Sequence, residues 1–403
     1  MFLLSKLAGA LKHRGLQIAL ILTAYLIFAS SLPLTTHQTF YTMSIFIKDI
    51  LMWVLPITVG LFIAQTISSF ERHAPLFVLA LMAFEALSNL TSVWYAYAGG
   101  HVAVDYVSVL KLPSGTDDFT ALWRIPFLRP SWWSADKGTM AGVFIGFLAA
   151  LTKNGILKHK IEQGKELAQW VLTRIFSRLI PLFILGFVAR MYQMKMLQHL
   201  LAQYSFLLVW LLAFLALYLF GLFFLGSGSL KGAFQAIKNL LPAGGIAFSS
   251  GCSISTMPWT IEGSSKNLQD PSLAKAVIPA TTNIQQIGDC ITNTFLCFLI
   301  YRQFYGACPD FTTWLNFSLV FVLARFATAA VLGGAIFIML PIYETYLSFT
   351  PEMIAIILAF NVILDPIVTS CNVLANGALC RVFERVWNPL LRKTQALFNP
   401  KNT

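Results

Sequence analysis

Residues Ala247–Pro258 read AFSSGCSISTMP, and this stretch decides how the second half of the chain folds. Five serines and threonines surround one glycine, with apolar sequence on both sides. In hydrocarbon every backbone polar group must be paired, so irregular backbone survives there only when it is buried in protein or lines a cavity. The stretch therefore predicts the tip of a re-entrant helical hairpin that faces a polar solute. Because small residues also let membrane helices approach closely, a helix-packing surface is the alternative.

The composition outside this stretch indicates a membrane protein. The 403 residues are 57% hydrophobic and only 11% charged, whereas a soluble chain carries about 25% charged residues. Lysines and arginines account for the net charge of +11 and lie in short loops, so the charge does not indicate nucleic-acid binding. If the basic residues near 6–14, 153–165 and 381–393 face the cytoplasm, both termini lie inside. We expect a multi-pass protein of the bacterial inner membrane, with the lipid bilayer as its surroundings.

The apolar stretches that recur along the chain predict an all-α polytopic protein with about eight transmembrane helices and two re-entrant hairpins. A polar, aromatic stretch at residues 100–137 is typical of the membrane interface, where tryptophan is favoured. From Gly226 onward, segments are shorter or broken by glycine and proline, which points to a transport site. The conventional spans are predicted at Leu16–Leu32, Ile50–Ser68, Leu76–Ala98, Gly138–Leu151, Glu162–Met191 with a kink at Pro181, and Ser205–Gly226.

A second polar stretch, Asn283–Asn293, reads NIQQIGDCITN and lies inside an apolar helix running from about Ala276 to Ile300. Two adjacent glutamines, Gly288 and Asp289 predict a break in this helix at mid-membrane depth. A carboxylate in the membrane is expensive, so Asp289 is a candidate functional group. A polar pair that seals two helices explains Asp289 equally well, and both interpretations remain open.

The third pattern is the most specific, because five polar residues share one face of the last apolar helix. At 100° per residue they fall within about 80° of one another. A carboxylate, three amides and a hydroxyl suit a solute with an amine, which needs a charge-assisted acceptor and neutral partners. The alternative, a hydrogen-bond ladder between helices, would need fewer polar groups. The five residues are Asn361, Asp365, Thr369, Asn372 and Asn376.

Two weaker patterns complete the set. Thr328–Pro341 carries Gly333 and Gly334 inside an apolar segment and predicts a second hairpin tip, although glycine also serves helix packing. The third span has a polar patch that either completes an ion site or packs against other helices. Its residues are Glu85, Ser88, Asn89, Thr91 and Ser92.

The order of these parts resembles the dicarboxylate/amino acid:cation symporter family, the glutamate-transporter-like group. The resemblance is strongest from about Lys231 to Arg385. The family's serine-rich tip ends in Thr-Leu-Pro where this chain has Thr256, Met257 and Pro258, and its Asn-Met-Asp-Gly-Thr break matches the segment that starts at Asn283. Its last helix matches Asp365, Thr369 and Asn372 in register.

The resemblance implies an elevator-type transporter fold and a homotrimer. Residues 1–72 would hold scaffold helices 1 and 2, and residues 100–196 scaffold helices 4 and 5 with the interfacial insertion. Residues 73–99 would form helix 3 of the moving transport domain, and residues 197–395 its remaining helices and both hairpins. Residues 396–403 would be a tail.

The same resemblance implies the roles of particular residues. In the family, the aspartate at the position of Asp365 binds the substrate's amino group, and the asparagine at Asn372 serves the carboxylate and an ion site. The residues expected to bind substrate are Ser250, Cys252, Ser253, Gly333, Gly334, Asp365, Thr369 and Asn372. Those expected to bind the coupling ion, Na⁺ or H⁺, are Ser88, Asn89, Asn283, Gln285, Asn372 and Asn376.

Departures from the family pattern narrow the substrate. Acidic-substrate members use an arginine at one of two positions that here hold Val368 and Gly251. Because an unpaired buried carboxylate is costly, we expect a small neutral amino acid. Family aspartates are replaced by Gln285, Asn361 and Asn376, so Na⁺ coupling is in doubt, and H⁺ coupling or exchange remains open.

The sequence therefore predicts secondary transport of a small neutral amino acid, coupled to a cation or to exchange. An acidic amino acid or dicarboxylate symporter is one alternative, and an uncoupled channel or sensor is an alternative of another class. The chain has no HExxH or GxSxG motif and no cluster with metal-site spacing, so an enzyme is not expected. No cofactor is expected apart from the coupling ion.

Overall fold

A computed structural model of the chain describes residues 14–68, 75–106, 119–126, 130, 132–133, 135–152, 155–194, 197–254, 256–282, 284–328 and 335–398. Within these ranges every regular element is a helix. The helices are α1 (Arg14–Phe28), α2 (Leu34–Ser68), α3 (Pro75–Ala103), α4 (Ala135–Thr152), α5 (Gly155–Trp170), α6 (Ser177–Gln193), α7 (Leu197–Ser227), α8 (Leu230–Ser250), α9 (Met257–Ser265), α10 (Pro271–Thr281), α11 (Ile287–Tyr305), α12 (Phe311–Thr328), α13 (Ala335–Leu347) and α14 (Pro351–Phe398). Short 3₁₀ turns at Ala29–Ser31 and Val104–Tyr106 follow α1 and α3, and a π-helical turn, Val171–Phe176, joins α5 to α6.

The chain forms two compact units. The first comprises Met1–Ser69, His101–Leu208 and Leu296–Ile363, and the second comprises Phe70–Gly100, Val209–Phe295 and Leu364–Thr403. The second unit thus combines α3 with the first hairpin and most of α14. Residues 197–208 and 296–363, which the prediction gave to the transport domain, lie in the first unit. Which part of the protein moves stays a prediction.

Close backbone approach holds α2 against α4 in the first unit. A Cβ at Gly142 would collide with the backbone of Gly60, and a Cβ at Gly138 would collide with that of Pro56. Glycine at these positions therefore lets the two helices approach closely, as small residues do in membrane proteins. Ion pairs also cross this unit, from Lys48 on α2 to Glu344 on α13.

The polar beginning of α2 differs from the sequence prediction. The span was predicted to start at Ile50, whereas α2 starts at Leu34. The reason is tertiary: His37 is fully buried, its Nδ1 lies 2.5 Å from the Tyr25 hydroxyl, and its ring stacks on Tyr192. Partners on α1 and α6 thus bury a turn whose sequence is polar.

The first hairpin consists of α8, a short tip and α9. The Ser229 hydroxyl caps α8 by accepting a hydrogen bond from Gly232 N at 3.1 Å. At the other end of α8, Gly251 adopts a left-handed conformation with φ 59° and donates from its N–H to Ala247 O at 2.8 Å. Glycine meets this backbone requirement at little cost. The helix is therefore interrupted inside the serine-rich stretch, where the sequence predicts a tip.

The second interruption separates α10 from α11. The Asp270 carboxylate caps α10 by accepting from Ser272 N at 2.9 Å, and Pro271 occupies the first turn. Hydrogen bonds from the Ser272 hydroxyl and N–H hold the pKa of the Asp270 carboxyl below its ordinary value. α10 ends at Thr281 and α11 starts at Ile287, so the helix breaks in the glutamine-rich stretch as predicted.

The core of the second unit lies between α3, α10 and α14. Leu81 packs with Ala274, Val277 and Ile278, and with Cys380, Phe383 and Trp387. α3 also joins α7 through Tyr95, whose ring stacks 3.9 Å from that of Phe214 and whose hydroxyl donates to Phe214 O at 3.0 Å.

Two stretches of the described helices are long and apolar enough to cross a membrane. They are Leu207–Ser227 in α7 and Ile363–Pro389 in α14. Shorter apolar stretches occur at Leu20–Ser31, Pro56–Gln65, Met140–Ala149, Phe311–Phe326 and Pro351–Asn361. The predicted number of about eight spans stays a prediction.

Candidate functional site

The first component of the site is the tip of the first hairpin. The Ser250 hydroxyl, which is exposed, accepts a hydrogen bond from Cys252 N at 3.3 Å. Ser253 is half-buried, and its carbonyl accepts from Thr256 N at 3.3 Å and from the Thr256 hydroxyl at 2.8 Å. Hydroxyl groups thus order the turn while the Ser250 and Cys252 side chains stay accessible.

The polar face of α14 grades from open to buried. Asp365 is exposed, whereas Thr369, Asn372 and Asn376 are 7%, 8% and 4% exposed. Asn361 lies in the first unit, where its amide donates to Ile357 O on the same helix at 2.9 Å. The charged member of the polar face is therefore the accessible one within the second unit.

Helices α8 and α14 pack antiparallel, and this register brings the hairpin tip toward Asp365. Gly377 lies against the Leu240 side chain, and further along, the Ser370 hydroxyl donates to Gly244 O at 2.9 Å. Each step toward the end of α8 is thus a step toward the start of α14. Continuing the register by about two turns, at about 1.5 Å per residue, places Gly251 level with Asp365.

Asp289 and Asn372 bind each other where α11 meets α14. Asn372 Nδ2 donates to Asp289 Oδ2 at 2.7 Å, Asn293 Nδ2 donates to Asp289 Oδ1 at 3.3 Å, and Asn372 Oδ1 accepts from Asp289 N at 3.3 Å. Gly288 makes the approach possible, since a Cβ there would lie 2.6 Å from Val368 O. Of the two interpretations of Asp289, this geometry matches the polar pair that seals two helices.

Two further amides of the predicted ion site also bind protein groups. With its amide oriented to satisfy both atoms, Gln285 donates to Asn372 O at 2.9 Å and accepts from Ile287 N at 3.2 Å. Asn376 Oδ1 accepts from the Thr281 hydroxyl at 2.7 Å. The buried half of the polar face therefore forms hydrogen bonds between helices, the arrangement that the sequence favoured less. Whether these residues also bind an ion stays a prediction.

Asn89 holds the broken segment against α3. Its Nδ2 donates to Ile284 O at 3.0 Å, and its Oδ1 accepts from Gln286 N at 3.3 Å. The Ser92 hydroxyl in turn donates to Asn89 O at 2.6 Å. A single side chain thus satisfies two backbone groups that the break removes from helical pairing.

Glu85 and Ser88 are the unusual members of the α3 patch. Glu85 is 1% exposed, and neither its Oε2 nor the buried Ser88 hydroxyl oxygen has a hydrogen-bond partner among the described residues. Thr91 is exposed and donates to Leu87 O at 2.8 Å within its own helix. A buried carboxyl group without a cation partner is expensive when ionised, so Glu85 is a group whose charge state matters.

Three predicted site residues lie outside the described residues, namely Gly333, Gly334 and Asn283. Sequence reasoning did not single out Thr281, Ser370 or Gly244, which hold α14 against α10 and α8. Thr281 is the last residue of α10, just before the broken segment, and Ser370 follows Thr369 on the helix that carries the polar face, so both hydroxyls lie next to patterns that the sequence does show. Gln286 was noted only as part of the break.

The accessible groups of the site suit the binding of a small solute. Among the described residues, no group of three or more His, Cys, Asp and Glu side chains is placed to hold a metal ion. The accessible groups are the Asp365 carboxylate and the hydroxyl-rich turn of the first hairpin, which suit a small polar solute.

Within the described residues, an interrupted hairpin, a broken helix and a terminal helix with a polar face are the features expected of a membrane transporter. The chain belongs to the sodium:dicarboxylate symporter family, whose model matches residues 140–386. This confirms the resemblance seen in the sequence and makes the protein a member of a membrane-transporter family. No curated protein matches the chain significantly.

Proposed function

We propose that this protein is a secondary transporter of a small neutral amino acid in the bacterial inner membrane. The family implies sodium-coupled transport of dicarboxylates or amino acids, and the choice of a neutral substrate is our own. The proposal of amino-acid transport rests on the exposed Asp365 carboxylate, which the register of α8 and α14 places at about the level of the first hairpin tip. A substrate ammonium group gains a charge-assisted hydrogen bond there, which is roughly twice as strong as a neutral one.

The absence of basic residues supports a neutral side chain. Residues 247–258, 281–293 and 361–380 contain no lysine or arginine, nor do residues 329–334. A dicarboxylate or acidic amino acid would bring a second carboxylate into the site, and these segments supply no cationic side chain to pair with it. Desolvating that carboxylate would cost several kcal/mol, about as much as a micromolar site can supply.

The amino acid would lie between the hairpin tip and α14. Asp365 would hold its ammonium group, while Ser253, Thr369 and the backbone amides of the tip would hold its carboxylate. Ser250 and Cys252, with Gly333 and Gly334 of the second hairpin, would border it, and Asn372 would donate the second N–H of its side-chain amide to the substrate's carboxylate. Movement of the transport domain within a homotrimer would carry the loaded site across the bilayer, with both termini on the cytoplasmic side.

The coupling ion would be Na⁺ or H⁺, unless the protein exchanges one amino acid for another. Protein groups already bind the side chains of Asn89, Gln285 and Asn376. In addition, Gln285 and Asn376 replace family aspartates and carry no charge. Such amides coordinate Na⁺ less strongly than carboxylates. Coupling by Na⁺ would therefore be weak, and exchange or H⁺ coupling would carry more of the flux.

Uptake of labelled amino acids into proteoliposomes tests the proposal. We expect saturable uptake of neutral amino acids, little competition by aspartate or glutamate, and loss of uptake in Asp365→Asn. Imposed Na⁺ gradients, pH gradients or an internal unlabelled amino acid then identify the driving force. Unchanged uptake in Asp365→Asn removes the amine-anchor role, and steady conductance without saturable uptake favours a channel instead.

A further inference from the structure

An apolar groove of about 490 Å³ lies on the second unit between α3, α7 and α14. Its walls include Leu87, Leu217 and Leu225, each more than 60% exposed. Contiguous apolar surface of this kind marks a place where an apolar partner binds. At Gly221, which lines the groove, a Cβ would meet no atom within 4 Å, so the groove is open there.

The groove lies partly on helices that are apolar enough to be surrounded by lipid acyl chains. Two of its walls, on α7 and α14, belong to the stretches Leu207–Ser227 and Ile363–Pro389, which are long and apolar enough to cross a membrane. In a bilayer, a groove on such helices is filled from the hydrocarbon around it. The surrounding solvent therefore already contains an occupant of matching chemistry, the tail of a lipid.

A second cavity of the same unit, of about 420 Å³, is polar and contains two arginines. That cavity is lined by Gln269, Arg381, Glu384, Arg385, Asn388 and Pro389. Arg385 links the two spaces, because it lines the cavity and its Nη1 donates at 2.8 Å to the carbonyl of Leu225, which lines the groove. The cavity residues Asn388 and Pro389 also lie at the end of the apolar stretch of α14, where a helix that crossed a bilayer would reach the headgroups.

The charges at this end favour an anion. Arg381 forms an ion pair with the buried Glu384, whose carboxylate also accepts from Gln269 N and Asp270 N at 3.2 and 2.7 Å. Glu384 is thereby compensated within the protein. Arg385 is exposed. One of its five N–H groups donates to Leu225 O, and the other four do not take part in that bond. A planar guanidinium matches a phosphate group in geometry as well as charge.

We propose that this composite site binds an anionic phospholipid, with an acyl chain in the groove and the phosphate at Arg385. The groove selects a molecule with a tail over free phosphate, and the arginine selects an anionic lipid over one without net charge. If the carboxyl-terminal end of α14 faces the cytoplasm, the site opens to the leaflet in which anionic lipids concentrate. This inference does not depend on the substrate or on the transport activity.

The test compares lipids with identical acyl chains on the purified full-length protein in nonionic detergent. Native mass spectrometry counts bound phosphatidylglycerol and phosphatidylcholine, and thermal melting follows the stabilisation that each produces. We expect phosphatidylglycerol to bind and to raise the melting temperature more than phosphatidylcholine. Two variants address the two halves of the site: Gly221→Leu fills the groove, and Arg385→Gln removes the charge. Each should weaken phosphatidylglycerol binding about tenfold or more.

Matched controls separate binding from folding. Gly245→Leu places the same side chain at another glycine of this unit that has no atom within 4 Å, and Lys238→Gln removes an exposed charge from α8. Both should bind lipid as the unmodified protein does, and Arg385→Lys should retain part of the preference. Equal binding of the two lipids overturns the proposal, and so does stabilisation by soluble glycerol phosphate alone. A groove covered by a second copy of the chain would show as a change of oligomeric mass in Gly221→Leu with lipid binding unchanged, which also overturns it.

Discussion

Gly288→Ala should separate α11 from α14 and damage both stability and transport. The new Cβ would lie 2.6 Å from Val368 O, a backbone atom, whereas ordinary contact begins near 3.4 Å, so the helices must part by 3.4 − 2.6 = 0.8 Å. Overpacking of this kind costs about 1–3 kcal/mol. A shift of that size also stretches the 2.7 Å hydrogen bond from Asn372 to Asp289 beyond good geometry. Loss of a hydrogen bond to a charged group adds about 1.5–3 kcal/mol.

Helix propensity opposes this loss by at most about 1 kcal/mol, because alanine favours a helix over glycine. The net destabilisation should therefore be about 2–5 kcal/mol. Gly245→Ala is the matched control, since a Cβ there meets no atom within 4 Å and the same propensity gain applies. Thermal melting of both variants in detergent, with proteoliposome uptake alongside, measures the difference. If Gly288→Ala melts and transports like Gly245→Ala, the close contact between α11 and α14 is refuted.

Three further substitutions probe the second unit. Glu85→Gln should leave the melting temperature at neutral pH unchanged or higher, because Oε2 of the buried carboxyl has no hydrogen-bond partner among the described residues; a fall of more than about 2 °C contradicts this. Glu384→Gln should destabilise by about 3 kcal/mol or more in denaturant-melting experiments, because it strands Arg381; a loss under about 1 kcal/mol would show that the pair contributes little. Val368→Arg should shift competition in uptake assays toward acidic amino acids, as the family's arginine position implies, and an unchanged preference would count against the neutral-substrate reasoning.

Local pattern was sufficient to locate the interruptions of the fold. The tip after Ser250 follows from hydroxyl side chains and a glycine inside apolar sequence, and the break before Ile287 follows from adjacent glutamines. The single polar face of α14 follows from residue spacing alone, since helical periodicity needs no tertiary information.

Tertiary partners were beyond local pattern. Asn89 binds Ile284 O, which is 195 positions away in the sequence, so the local sequence around either residue does not predict the contact. The polar start of α2 is helical because His37 hydrogen-bonds to Tyr25 and stacks on Tyr192, and both tyrosines lie on other helices. The use of Asn372 and Asn376 as rungs of a ladder likewise depends on Asp289 and Thr281 facing them. The residue types predicted polar contacts for Asn372 and Asn376, but only the fold determines that their partners are Asp289 and Thr281.

The central claim is that Asp365 anchors the amine of a neutral amino acid, and ligand-dependent thermal stability tests it most directly. A ligand that prefers the folded state, present at about 100 times its dissociation constant, stabilises by about 2.7 kcal/mol. We expect a neutral amino acid to raise the melting temperature of the unmodified protein. Its analogue without the amino group should not raise it, and neither should aspartate or glutamate. Asp365→Asn should lose this response. Stabilisation by acidic amino acids, or an undiminished response in Asp365→Asn, would contradict the account.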